Sequence, residues 1–152
     1  MQRLDLSSDA ASILSFADDT RLEQARTHDL ALLEQAIDRI ETGGGTDIAE
    51  ALTMATEEFF AGTYDPTSLP ALLLLTDGRV PNVDETLAAS EAAKARGVRI
   101  ITIGLGTEID ETLLREIASD AATDYWYAPT AEELSEIYRK ISQQLDCEKD
   151  DA

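Results

Sequence analysis

The amino-acid sequence predicts an α/β fold: a doubly wound, mainly parallel sheet with helices on both faces and one antiparallel edge strand. Three observations carry this expectation. From residue 71 onward, short apolar runs alternate with segments of helical periodicity, in the order strand, helix, strand, helix, strand, helix. The run "ALLLL" (71–75) is apolar at every position, as a central parallel strand covered on both faces must be. At 152 residues the chain is long enough for one such domain and too short for two.

Taken in order, "AASILSF" (10–16) reads as a buried strand and "TRLEQ" (20–24) as a short polar strand at an edge. Leu30, Leu33, Ile37 and Ile40 recur at helical spacing and make one apolar face, and the glycine run 43–45 ends that helix. Ile48, Leu52, Ala55 and Phe59 form the face of a second helix, which stops before the turn-rich loop "GTYDPTSLP". After the strand at 71–75 a helix is expected near 84–96, closed by Gly97. The strand "VRIITIGLG", a helix near 110–118 and the strand "YWYA" (125–128) follow. "TAEE" (130–133) has the form of a capping box, and Leu134, Ile137, Ile141 and Leu145 give the last helix its core face. No internal repeat or domain boundary is visible, and residues 146–152 read as a disordered tail.

Charge narrows the function. Twelve basic residues stand against 31 acidic ones, a net charge of −19. Residues 1–76 hold 14 acidic and 4 basic groups, and residues 77–152 hold 17 and 8, so the halves carry −10 and −9. An evenly acidic surface excludes nucleic acid, which needs a concentrated basic face. It suits either a high-salt environment, where screening removes self-repulsion, or an ordinary acidic protein. No apolar run approaches the roughly 18 residues of a membrane helix, and the start of the chain lacks the pattern of a signal peptide. One cysteine, Cys147, excludes an intrachain disulfide or a zinc cluster of cysteines and leaves the compartment unknown.

In open α/β sheets ligands collect beyond the carboxyl ends of the strands. Asp77 stands just past the end of the most apolar strand, and Thr46 and Asp47 follow a glycine loop at a helix start, where free amides and close backbone approach are available. Each has an ordinary alternative: Asp77-Gly78 as a turn pair, Thr46 and Asp47 as helix caps. Together, their hydroxyl and carboxylate oxygens are the donors a hard cation takes. "GGGTD" lacks the Lys-Ser/Thr of a phosphate-binding loop. His28, the single histidine, reads as a cap or surface residue, no serine sits in a nucleophile elbow, and the aromatic residues around Trp126 read as core or sheet packing.

The glycine run with "GTD", "LLLLTDG" on a central strand, "VRIITIGLG" and the terminal "YWYAPTAEEL" resemble a von Willebrand factor type A (vWA) domain, a Rossmann-like fold, from about residue 9 to 145. The resemblance implies a metal-ion-dependent adhesion site (MIDAS). In that site a divalent ion, usually magnesium, keeps one position open for an Asp or Glu carboxylate of a partner protein. It maps Thr46 onto the threonine ligand and Asp77 onto the second aspartate, with Asp47 as a neighbour orienting the loop.

The family's first motif, Asp-x-Ser-x-Ser after the first strand, has its nearest match in "DLSSD", where Asp5 and Ser7 fit and Asp9 replaces the second serine. Residues 1–9 therefore read as the end of the family's first helix plus a connector. The expected chain is an N-terminally truncated vWA-like domain over residues 1–152. Its first strand would belong between the strands at 10–16 and 71–75, leaving a gap open to self-association. The implied function is an adhesion-type interaction module, not an enzyme, whose Mg²⁺ (or Mn²⁺/Ca²⁺) is held weakly or not at all. The alternatives are a regulatory subunit of an ATPase-linked complex such as a chelatase, and a metal-free structural remnant.

Overall fold

A computed structural model describes residues 8–41, 43–77 and 79–150. In chain order the elements are β1 (Ala11–Phe16), β2 (Thr20–Thr27), α1 (Leu30–Asp38), α2 (Ile48–Phe60) and β3 (Ala71–Thr76), then α3 (Val83–Ala95), β4 (Arg99–Leu105), α4 (Glu111–Ile117), β5 (Tyr125–Ala128) and α5 (Ala131–Asp150). The expected α/β order and the parallel run from residue 71 are present. The tail expected from residue 146 is instead helical as far as Asp150.

Strand pairing divides the strands in two. β3, β4 and β5 form a parallel three-stranded sheet in that spatial order, with Leu74 opposite Thr102 and Trp126 opposite Ile103. β1 and β2 form a separate antiparallel ribbon with register shifts near Ile13. Among the described residues no ladder joins β1 to β3. Residues 1–7, most of the segment 1–9 expected to be the end of the family's first helix plus a connector, lie outside the described residues.

The alternation of β3 and β4 sorts their side chains to two cores. Leu74 and Ile100 join Ile48 and Leu52 of α2, Ala93 of α3 and Leu113, Leu114 and Ile117 of α4 on one face. On the other face Ile101 and Ile103 pack with Ala128 and with Ile137 and Ile141 of α5. Helices therefore cover both faces, as the doubly wound pattern requires. Phe16 of β1 packs against the first core, so α2 reaches from the ribbon to the three-stranded sheet. The second face is less complete: Leu75 packs against its core, whereas Leu73, two residues back on the same face, is 40% exposed.

Local chemistry sets the helix ends. Asp29, Asp47 and Asp110 cap α1, α2 and α4, each accepting a hydrogen bond from a backbone amide of the first turn. At α5 the expected box is half formed: the Glu133 amide donates to Thr130 Oγ1 at 3.4 Å, while the Thr130 hydroxyl donates to the Glu133 carboxylate at 3.3 Å. Arg26 reaches from β2 to the open carbonyls that end α2, donating to Phe59, Ala61 and Thr63. Asp124, almost fully buried where β5 begins, pairs with Arg99 at the start of β4 at 2.7 Å and ties the two strands at that end.

The face of α1 departs from its periodicity. Leu33 is buried together with Ala36, while Leu30 and Ile37 are exposed, Ile37 by 54%. Leu30 and Ile37 are two turns apart on one flank of the helix, and the described residues leave that flank uncovered. The aromatic strand behaves as expected in part: Tyr125 packs on the first core and Trp126 on the second, but Tyr127 faces out at the sheet edge.

Candidate functional site

The candidate residues stand at the carboxyl end of β1 and β3. Thr76 closes β3 and is buried; Asp77 follows it and is exposed. Thr46 and Asp47, both half-buried, lead from the glycine loop into α2. Ile48, next in the chain, shares a core with Leu74 and with Val80, three residues beyond Asp77. That shared packing brings the two segments to one end of the sheet.

The loop before α2 is held by the turn between β1 and β2. The amide of Gly45 donates to Asp18 Oδ1 at 2.9 Å, and the amide of Asp47 donates to the Ala17 carbonyl at 2.9 Å. Further along, the amide of Thr20 donates to Glu50 Oε2 at 2.9 Å. Glycine suits this approach at both positions, through its positive φ at 44 and through the room left for the Asp18 carboxylate at 45. A Cβ on Gly45 would overlap the Asp18 carboxylate, and one on Gly44, whose φ is +91°, would stand 2.9 Å from the Cβ of Ala17.

Asp47 is not free to act as a metal ligand with both its oxygens, because Oδ1 caps α2 by accepting from the Glu50 amide at 3.1 Å. Asp9, the residue standing where the family's second serine belongs, lies before β1 and its carbonyl accepts from His28 Nδ1–H at 2.8 Å. The six residues of β1 span about 20 Å, so Asp9 is at the far end of the ribbon from Ala17 and the glycine loop. His28 binds a backbone carbonyl at the surface, as expected of a residue outside any catalytic group.

The donors suit a hard cation in kind and fall short in number. Magnesium and calcium take about six or more oxygens. Thr46 and Asp77 offer two side chains, and among the described residues no group of three or more His, Cys, Asp or Glu side chains is placed to hold a metal ion. Asp5 and Ser7 lie outside the described residues. Sequence reasoning missed Asp18 and Glu50; the string "ADD" signals a tight turn, and nothing in it signals a contact with residue 45.

Comparison with known proteins follows the same outline. The model of the von Willebrand factor type A domain matches residues 1–140. The collagen alpha-1(XXI) chain of Xenopus laevis is 32% identical over 122 residues, covering 80% of this chain and 12% of that protein. Inter-alpha-trypsin inhibitor heavy chain H2 of Sus scrofa is 29% identical over 122 residues, covering 72% and 13%. Among solved structures, proximal thread matrix protein 1 of the mussel byssus, with a zinc-occupied MIDAS motif, superposes with a TM-score of 0.77 at 25% identity over 88% of this chain and 34% of that one. The chain thus spans between 12% and 34% of the length of these relatives.

Proposed function

Since the chain belongs to the von Willebrand factor type A family, whose members serve mostly as non-enzymatic interaction modules, we propose that it is an adhesion-type protein-interaction module working at the carboxyl edge of its sheet. The observation that supports this reading is an exposed Asp77 just past the end of β3, together with a Thr46 whose loop is tied to the turn after β1 on both sides. Thr46 and Asp77 are the proposed ligands of a divalent cation, Mg²⁺, Mn²⁺ or Ca²⁺, and Asp47 orients the loop through its cap of α2. The cation's contribution would be positive charge, which lets an acidic edge accept an Asp or Glu carboxylate from a partner protein. With two donor side chains in hand the ion is held weakly.

Calorimetric titration with manganese tests this. The expected dissociation constant is weaker than about 10⁻⁴ M, in the range of sparsely liganded sites, with the signal lost in Asp77→Ala. Submicromolar binding that survives Asp77→Ala would refute the assignment.

A second reading is favoured by the exposed apolar side chain of Leu73 on β3. Exposed apolar surface on a sheet face is a site of association, so two copies associate through the face that carries Leu73. Sedimentation velocity across a hundredfold range of concentration is expected to show a species heavier than the monomer. A monomer throughout would refute it.

A further inference from the structure

The proposed contact edge leaves one charged group without a part: the carboxylate of Asp18, in the turn between β1 and β2. We infer that Asp18 is a positioning residue, a latch through which the turn fixes the glycine loop and hence the direction in which Thr46 points. The inference rests on the reading above for what the loop is used for, and on geometry alone for how the loop is held.

The amides on either side of Thr46 are both bound to the turn, Gly45 N–H to Asp18 Oδ1 and Asp47 N–H to the Ala17 carbonyl, each at 2.9 Å. Thr46 is bracketed by two anchored peptide groups. Of the two bonds, the one to Asp18 ends on a carboxylate, and a charge-assisted hydrogen bond is shorter and stronger than a neutral one. Backbone shape is matched to that carboxylate. A Cβ on Gly45 would overlap Asp18 Oδ1, and one on Gly44 would stand 3.1 Å from Oδ2, so the two glycines form a cradle that a side chain would fill. The contact joins residues 27 positions apart in sequence. Among the described residues loop and turn are otherwise connected by the Asp47–Ala17 backbone bond, with the Thr20–Glu50 bond lower on α2, which leaves Asp18 as the described side chain placed to hold residues 44–46.

Amide hydrogen exchange, followed residue by residue by nuclear magnetic resonance, tests the latch on the full chain without any metal. In Asp18→Ala the exchange of the Gly45 amide should quicken roughly ten-fold or more, as expected for loss of one charge-assisted bond, while core amides of β4 keep their rates. Asp18→Asn, whose side-chain carbonyl still accepts, should return Gly45 to within about three-fold of the unsubstituted chain. An unchanged Gly45 in Asp18→Ala, or an Asn variant exchanging as fast as the Ala variant, overturns the inference. A parallel manganese titration keeps the two readings apart: failure of the unsubstituted chain to bind counts against the cation reading, and the exchange rates still decide the latch.

Discussion

Leu73 and Leu74 are chemically identical neighbours on β3, and their truncation to alanine should separate a covered face of the sheet from an open one. Leu74 is 3% exposed and lies in the core formed by α2, α3 and α4. Removing its side chain loses the transfer term and leaves an enclosed cavity, at a cost of about 3 kcal/mol, near the low end for buried leucines. Leu73 is 40% exposed on the opposite face. Complete burial of a leucine is worth about 1.5–3 kcal/mol, so the buried share of Leu73 is worth roughly 1 kcal/mol, and solvent can enter the space vacated. For a chain of this length each kcal/mol moves the melting temperature by about 2–4 °C. Leu74→Ala should therefore melt about 6–12 °C lower and Leu73→Ala about 2–4 °C lower. Urea unfolding and thermal melts, both at low micromolar concentration, measure the difference. Equal losses at the two positions would refute the argument and mean that the face carrying Leu73 is covered in solution. A Leu73 cost that grows with protein concentration would identify a second copy as the cover.

Other consequences follow from particular groups. Self-repulsion among 31 acidic groups opposes compaction at low ionic strength, so the melting temperature should rise from millimolar to molar potassium chloride. A flat or falling curve would sink the high-salt reading, and sodium sulfate as a comparison separates screening from salting-out. Gly45→Ala should cost about 1–3 kcal/mol by forcing the Asp18 carboxylate aside, and nearly nothing in an Asp18→Ala background; equal costs in both backgrounds would place the strain elsewhere. Burial, aided by Glu111 and opposed by Arg115, raises the Tyr125 phenol above its ordinary value of 10.0. The fold favours the neutral phenol, so its contribution to stability is complete below pH 10.0 and is lost as pH climbs through the raised value. Ultraviolet difference titration with and without Tyr125→Phe should show this phenol ionising late, and ionisation at the ordinary value would contradict it.

What the sequence determined by itself is what short-range chemistry encodes. The unbroken apolar run at 71–75 required a strand covered on both faces, and Leu74 and Leu75 do pack on opposite cores. Helical spacing placed α2 and α5 and named the core face of α5, but of the four residues expected on the face of α2 only Ile48 and Leu52 are core, joined by Ala51 and Thr56 and by Phe60 in place of Phe59; Asp47 and Asp110 stood where caps were needed. The family outline was readable for the same reason, since "GGGTD" and "LLLLTDG" are local strings whose residue types answer local needs. The tertiary structure decided the rest. Periodicity offered Ile37 of α1 as a core residue, but whether an apolar flank is covered depends on which element arrives from elsewhere, and none of the described residues does. Strand pairing likewise belongs to two partners at once: the strings "AASILSF" and "ALLLL" do not name their own neighbours, a gap between them was expected only through the family resemblance, and among the described residues no ladder joins β1 to β3. The hold of Asp18 on Gly45 is the clearest case. A turn aspartate and a loop glycine each look ordinary in the sequence, and only the fold brings a carboxylate into hydrogen-bond reach of an amide 27 residues away.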